Sequence, residues 1–131
     1  MIRRGASAQQ IAFARDAYDD CIADLDEQLG MLIDELERRE ILEHAWLIIA
    51  ADHGENFGEH PGVFLHGATL YQTEHHVPLV IVPPKPAASG QAVTEPVSLR
   101  DLPATIVELV GMQSESPFPG SSLARFWRAD A

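Results

Sequence analysis

The residues best suited to chemistry are concentrated between positions 52 and 76. Imidazole nitrogens and carboxylate oxygens bind divalent metals, and imidazole also exchanges protons near neutral pH. A dense mixture of the two groups in one segment therefore predicts a metal-binding or acid–base site. The histidines and acids of this segment are Asp52, His53, Glu55, Glu59, His60, His66, Glu74, His75 and His76.

The motif Asp52-His53-Gly54 follows directly on a continuous apolar run over residues 46–51. Open α/β sheets bind their ligands outside the carboxyl ends of the strands. Gly54 also permits backbone conformations that a side chain would forbid. Taken alone, an Asp-His pair at a strand end is more often a capped turn than a metal site. The histidines in the same segment give the metal-site interpretation the same weight as the capped turn. We therefore predict a divalent-metal site at Asp52 and His53.

A long helix and two strands are predicted to position this segment. Apolar residues recur at steps of three and four, and no proline interrupts them, which predicts a helix over 8–39. Its acidic face is typical of a solvated surface, with partner binding as the alternative. The run at 46–51 is apolar on both faces, which predicts a central parallel strand. A second strand is expected at 77–82, after a long functional loop.

The C-terminal region is predicted to contain a short strand and a short helix. Residues 92–99 could form a strand, at an edge or bent because they contain a proline. A helix is predicted over 101–110, with Asp101 as its cap and Gly111 as its stop. Leu123, Phe126 and Trp127 are expected to dock back on the body. The order helix, strand, loop, strand indicates part of an α/β sheet.

Composition excludes several classes of protein. The net charge of -11 makes broad binding of nucleic-acid backbones unfavourable. No apolar run is long enough for a membrane span, and the first residues lack the apolar core of a signal peptide. Localisation is therefore left open. A single cysteine, Cys21, excludes an internal disulfide.

Several motifs, in order, resemble the C-terminal signature of sulfatases, which belong to the alkaline-phosphatase-like superfamily. The resemblance covers nearly the whole chain, from about Tyr18 to Trp127. It implies a single domain over 1–131 that forms part of an alkaline-phosphatase-like α/β/α sandwich. The matching motifs are Asp-His-Gly-Glu-Asn-Phe-Gly-Glu-His at 52–60, His-Gly-Ala-Thr-Leu-Tyr at 66–71, Val-Pro-Leu-Val-Ile at 77–81, the segment 97–105 and Gly-Ser-Ser-Leu at 120–123. The implied parts are a long helix (8–39), a metal-site strand-loop-strand (46–82) and a closing segment (92–127).

The resemblance also implies roles for individual residues. Asp52 and His53 would be two ligands of the active-site metal, which the family implies to be Ca²⁺. The softness of an imidazole and carboxylate pair would by itself favour Mn²⁺ or Zn²⁺. His66 lies where many sulfatases carry a lysine that contacts the sulfate group and the leaving oxygen, and an imidazole can do either task. The supporting residues are expected to be Glu55, His60 and Thr69, with His75 and His76 as exposed turn residues.

The nucleophile of the family is not found in this sequence. Sulfatases convert a Cys or Ser in a Cys/Ser-x-Pro-x-Arg motif to formylglycine, and Cys21 is followed by Ile22-Ala23. Cys21 is therefore predicted to be a packing residue. We expect the chain to be the C-terminal, metal-binding part of a sulfuric ester hydrolase. It should be inactive alone and need an N-terminal portion that carries the formylglycine and binds the sulfate- or phosphate-ester substrate with it.

Two alternatives stay open at this stage. The same motifs suit a fragment of a phosphoester or phosphonate hydrolase, or of a phosphoethanolamine-type transferase. The chain could also be a non-catalytic module that pairs with another chain, for which the acidic helix offers a surface.

Overall fold

The computed structural model describes residues 6–67, 69–85, 90–112 and 118–126. The chain divides into two compact units, Met1–Ala88 and Ser89–Ala131. The first unit carries two helices and two strands, and the second carries one helix. These elements are α1 (Ala8–Arg38), β1 (Leu47–Ala50), α2 (Gln72–His75), β2 (Leu79–Val82) and α3 (Leu102–Leu109).

Helix α1 has defined signals at both ends. The Ser7 hydroxyl accepts a hydrogen bond from the Gln10 N–H, while the Gln10 side chain accepts one from the Ser7 N–H. At the C-terminal end, the Glu35 carboxylate contacts the guanidinium groups of Arg38 and Arg39, each at 2.6 Å. The predicted helix over 8–39 is therefore confirmed to within one residue. None of the described helices is long and apolar enough to cross a membrane.

Strands β1 and β2 form an antiparallel pair, in register from Leu47 opposite Val82 to Ala50 opposite Leu79. Within the described ranges, this pair is the whole sheet. The predicted central parallel strand is therefore not observed, because an apolar run indicates burial of two faces but does not encode the direction of a neighbouring strand. The mixed helix-and-strand class is confirmed, and the complete α/β/α sandwich stays a prediction.

The apolar stripe of α1 is formed as predicted, but the first unit does not cover it. No residue of α1 is buried. Leu25 is 65% exposed and Leu32 is 52% exposed. Cys21 is exposed as well, so its predicted packing role is not met in this structure. Near the C-terminal end of α1, the Glu37 carboxylate lies 2.7 Å from the ammonium group of Lys85.

The second unit begins without the predicted strand. Residues 92–98 form no strand, and a 3-10 turn over Leu99–Asp101 leads into α3. The prediction of a strand over 92–99 was wrong, because a proline removes one backbone donor and this unit has no described strand to pair with. Asp101 is the N-cap residue of α3, as predicted, but its side chain makes no capping hydrogen bond to that helix. The Ser98 hydroxyl accepts from the Arg100 N–H and the Asp101 carboxylate accepts from the Ser98 N–H, so these two side chains cap the 3-10 turn instead.

The core of the second unit is organised by the buried hydroxyl of Thr105. This hydroxyl donates a hydrogen bond to the Asp101 carbonyl at 2.7 Å and accepts one from the Leu123 N–H at 2.9 Å. It thereby fixes the 3-10 turn Leu123–Phe126 against α3, and Leu123 and Ala124 are buried. The predicted docking of Leu123 is confirmed, whereas Trp127 lies outside the described residues.

Replacing Thr105 by valine should destabilise the second unit by about 1–3 kcal/mol, because the buried Leu123 N–H would lose its acceptor while the side-chain shape is kept. Amide hydrogen exchange of Leu123 measures this directly, and we expect faster exchange. Thr94→Val is the matched control, since Thr94 is exposed. Unchanged Leu123 exchange in Thr105→Val would contradict the assignment.

Candidate functional site

Asp52 and His53 lie directly after β1, where their side chains come close to each other. The Nε2 atom of His53 is 3.7 Å from a carboxylate oxygen of Asp52, whose side chain is 89% exposed. His53 Nδ1 lies 2.9 Å from the Gly54 carbonyl. Because a carbonyl only accepts, Nδ1 is the donor, so that in the neutral ring Nε2 carries the lone pair. This is the orientation that metal-ligating histidines usually have.

The ring of His66 stacks on the ring of His53. The ring centroids are 3.9 Å apart, and the planes meet at 28°. On its other side, His66 Nδ1 lies 2.9 Å from a carboxylate oxygen of Glu55. Since an ionised carboxylate only accepts, Nδ1 is again the donor, and His66 Nε2 is left for another partner. The structure thus brings together the three residues that the sequence predicted to be functional, with Glu55 in the predicted supporting role.

The surroundings of His53 favour its positive form. The hydrogen bond to the Gly54 carbonyl raises the pKa of His53 above its ordinary value, and partial burial opposes this shift. The negative charges of Asp52, Glu55 and Glu74 raise this pKa further. The negative charges of these acids therefore attract a cation to the surroundings of His53.

A buried polar pair, Asn56 and Glu74, lies beneath the two histidines. Asn56 is 0% exposed and Glu74 is 6% exposed. The Glu74 carboxylate accepts hydrogen bonds from the Asn56 amide (2.5 Å), the Gly67 N–H (2.7 Å) and the Thr69 hydroxyl. The Thr69 bond is the main reason that the pKa of Glu74 is lowered, the other two donors add to it, and burial opposes it. Glu74 is thereby held as a carboxylate.

Asn56 also fixes the residue that precedes His66. The side-chain amide of Asn56 donates to the Leu65 carbonyl at 2.9 Å, and the backbone carbonyl of Asn56 accepts from the Leu65 N–H at 3.0 Å. Leu65 has φ +69°, in the left-handed region that non-glycine residues rarely adopt. Such a conformation costs on the order of 1–3 kcal/mol and persists where the surroundings impose it. The Asn56 contacts supply that constraint next to His66.

Gly54 is required by a close approach of two backbone segments. Its N–H donates to the Glu74 carbonyl at 2.8 Å. A Cβ atom at this position would lie only 2.0 Å from the Thr73 carbonyl oxygen. The sequence predicted backbone freedom at Gly54, and the structure shows that space is the stricter requirement.

The N-terminal half of α1 supports the same loop. Arg15 forms an ion pair with Glu59 at 2.6 Å, and the rings of Tyr18 and Phe57 meet edge to face at 5.2 Å. His60 stacks on Tyr71 with the ring centroids 3.4 Å apart, so its contact is structural, as predicted. His75 and His76 are exposed, which also agrees with the prediction.

Sequence analysis missed the central roles of Asn56 and Glu74. Both residues lie within segments that the sequence analysis singled out. The sequence alone does not distinguish a buried polar residue from an exposed one, so their burial was not predicted. Among the described residues, no group of three or more His, Cys, Asp or Glu side chains is arranged to hold a metal ion. Asp52 and His53 fit a metal as two donors, an open carboxylate and an imidazole with a directed lone pair. A closed metal shell needs four or more ligands.

The loop should become less stable in acid. Because the pKa of Glu74 is lowered in the folded chain, its contribution is present above the ordinary value of 4.5 and is lost as the pH falls through the lowered pKa. Urea midpoints, followed on NMR signals of residues 54–67, should show wild type well above Glu74→Gln at pH 7. The difference between the two urea midpoints should become smaller in acid. A difference that does not depend on pH would refute the stabilising role of the Glu74 carboxylate.

Comparisons with known proteins agree with the sequence motifs. The family model for sulfatases matches residues 5–112. Arylsulfatase K of Xenopus laevis is 32% identical over 115 residues, which are 88% of this chain and 21% of that protein. Choline-sulfatase of Rhizobium meliloti (strain 1021) is 32% identical over 111 residues, which are 85% of this chain and 21% of that protein. No solved structure matches the chain.

These alignments show the family of the chain and how much of a relative's length the chain spans. The chain spans about a fifth of the length of the curated relatives that it matches. The matched region contains α1, both strands and the loop with Asp52, His53 and His66. The resemblance deduced from the motifs is thereby confirmed, and the chain belongs to the sulfatase family.

Proposed function

We propose that the segment from Asp52 to His66 forms part of the active site of a sulfuric ester hydrolase. The observation that carries this proposal is the stacking of His53 and His66 at 3.9 Å, at the carboxyl end of β1, within the region matched by the family. Two imidazoles with free Nε2 atoms and one open carboxylate then lie within one small cluster. Such a cluster suits the binding of a cation and an anionic ester next to each other.

Asp52 and His53 are the residues that would hold the divalent cation. The exposed carboxylate and the directed Nε2 lone pair are compatible with Ca²⁺, which the family resemblance implies, and also with Mn²⁺ or Zn²⁺. When bound, a divalent cation stabilises the negative charge on the sulfate oxygens. Further ligands must come from elsewhere in the complete enzyme, because two donors give only weak binding.

His66 is placed to contact the substrate. Its Nδ1 proton is held by Glu55, which fixes the plane of the ring and leaves Nε2 for a sulfate or leaving-group oxygen. When Nε2 is protonated, it can donate a hydrogen bond or a proton to such an oxygen. Glu55, with a side chain only 16% exposed, is the group that orients it.

The rest of the enzyme would supply what this chain lacks. No Cys/Ser-x-Pro-x-Arg motif occurs in the sequence, so the chain alone should not turn over substrate. We propose that the N-terminal portion of the enzyme supplies the formylglycine nucleophile and covers the exposed apolar stripe of α1. The stripe includes Ile22, Leu25 and Leu32, all of which are exposed.

Metal binding can be tested on the 131-residue chain by titration with Mn²⁺, which broadens NMR signals of nearby nuclei. We expect broadening centred on residues 52–54 and 66. Asp52→Asn and His53→Ala should each remove it, because each deletes one of two donors. His75→Ala is the matched control, since His75 is exposed and lies outside the cluster. Broadening that persists in both site variants would rule out this metal site.

Catalysis can be tested on the protein produced from the full reading frame that contains this chain. We expect hydrolysis of an aryl sulfate, and a loss of about 10²–10⁴-fold in kcat/KM for His66→Ala, the usual range for a general acid or base. His75→Ala should retain full activity.

The same assay separates the alternatives. Preference for an aryl phosphate would favour the phosphoester hydrolase. Metal-dependent turnover by the isolated 131-residue chain would overturn the requirement for an N-terminal portion. Absence of activity in the full-length protein would favour a non-catalytic module.

A further inference from the structure

We propose that Glu74 is a positioning residue, which, together with Asn56, holds the ring of His66 against the ring of His53. The inference deepens the proposed function and rests on it only where metal binding is used as a readout. The arrangement itself follows from hydrogen bonds around the two histidines. Glu74 does not act on substrate directly, because its side chain is buried and its oxygens are engaged by donors of the chain.

The backbone is fixed on both sides of His66. On the N-terminal side, Asn56 binds both the carbonyl and the N–H of Leu65 and holds that residue at a positive φ. On the C-terminal side, the Glu74 carboxylate accepts from the Gly67 N–H at 2.7 Å. Asn56 and Glu74 are themselves joined at 2.5 Å. The two anchors of His66 therefore form one buried unit.

Glu74 also binds the segment that carries His53. The Glu74 backbone carbonyl accepts from the N–H of Gly54, the residue directly after His53, at 2.8 Å. Glu74 thus binds the segment of one histidine by its side chain and the segment of the other by its main chain. Its position consequently sets the spacing between the two rings, which stack at 3.9 Å.

A carboxylate is the side chain that this position requires. Three donors point at its oxygens: the Asn56 amide, the Gly67 N–H and the Thr69 hydroxyl. An ionised carboxylate accepts all of them and presents no donor of its own. Glutamine has nearly the same shape but would turn an NH₂ group toward a donor. Glu74→Gln therefore disturbs the alignment of the two segments with little change in volume.

The experiment compares Glu74→Gln, Thr69→Val and Glu59→Gln with wild type in the 131-residue chain. Thr69→Val removes one donor to Glu74 and leaves the carboxylate in place. Glu59→Gln is the matched control, because the Glu59 carboxylate binds Arg15 and the Phe57 N–H rather than either histidine segment. The readouts are the nuclear Overhauser effect between the ring protons of His53 and His66, the Kd for Mn²⁺ and circular dichroism.

We expect Glu74→Gln to keep the wild-type helix content, to lose the ring-to-ring Overhauser effect and to weaken Mn²⁺ binding about ten-fold, the lower end of what outer partners of metal ligands contribute. Thr69→Val should show a reduced Overhauser effect, and Glu59→Gln should match wild type. If Glu74→Gln does not fold, the Thr69→Val result decides.

An unchanged ring-to-ring effect in a folded Glu74→Gln or in Thr69→Val overturns the proposal, as does the absence of that effect in wild type. The two readouts also separate this proposal from the proposed function. A wild-type chain that binds no Mn²⁺ but shows a Glu74-dependent ring contact would refute the metal site in this chain and leave the positioning role intact.

Discussion

The site depends on one interaction, the buried carboxylate of Glu74 with its three donors. Apart from the isolated bridge between Phe57 and Phe64, the described residues of the segment 51–71 form no helix or strand. Their backbone groups must therefore find partners by other means. Burying a charge is costly unless several hydrogen bonds offset it. Here, those hydrogen bonds come from Asn56 and Gly67, which lie in the segments around His66. The bonds that offset the burial of the charge therefore also fix the backbone around His66. Elsewhere in the loop, the ion pair Arg15–Glu59 is exposed and contributes little.

Helix α1 has one face that contacts the loop and another whose apolar residues are exposed. Through Tyr18 and its neighbours, it supports the loop that carries the histidines. Much of its apolar stripe is left uncovered by its own unit, since Ile22, Leu25 and Leu32 are exposed. A chain of this size buries a limited share of its surface, and an apolar stripe of this length usually marks an interface. The exposed stripe thus supports the proposal that an N-terminal portion of the enzyme covers the helix.

The sequence allowed prediction of the features that depend on local pattern. The period of α1, the two apolar runs and the chemistry of Asp52, His53 and His66 are of this kind, and the structure brings the three residues together. Prediction failed where the outcome depends on distant partners. The direction of the β1–β2 pairing, the absence of a strand at 92–99 and the burial of Glu74 are set by what packs against them. The start of α3 shows the same limit: Asp101 stands at the N-cap as predicted, but its carboxylate binds the N–H groups of Ser98 and Ser121 rather than the first turn of α3.

The charge of the histidine cluster follows from these constraints. Both Nδ1 protons are held by acceptors, Gly54 for His53 and Glu55 for His66, so the only open imidazole positions are the two Nε2 atoms. The hydrogen bond to the Gly54 carbonyl is the main cause that raises the pKa of His53, and the acids near the stacked rings raise this pKa further. The negative charges on the His53 side of the stack therefore favour a cationic occupant there. The two histidines therefore have different surroundings, and this difference supports the proposal that His53 binds the cation while His66 contacts the ester.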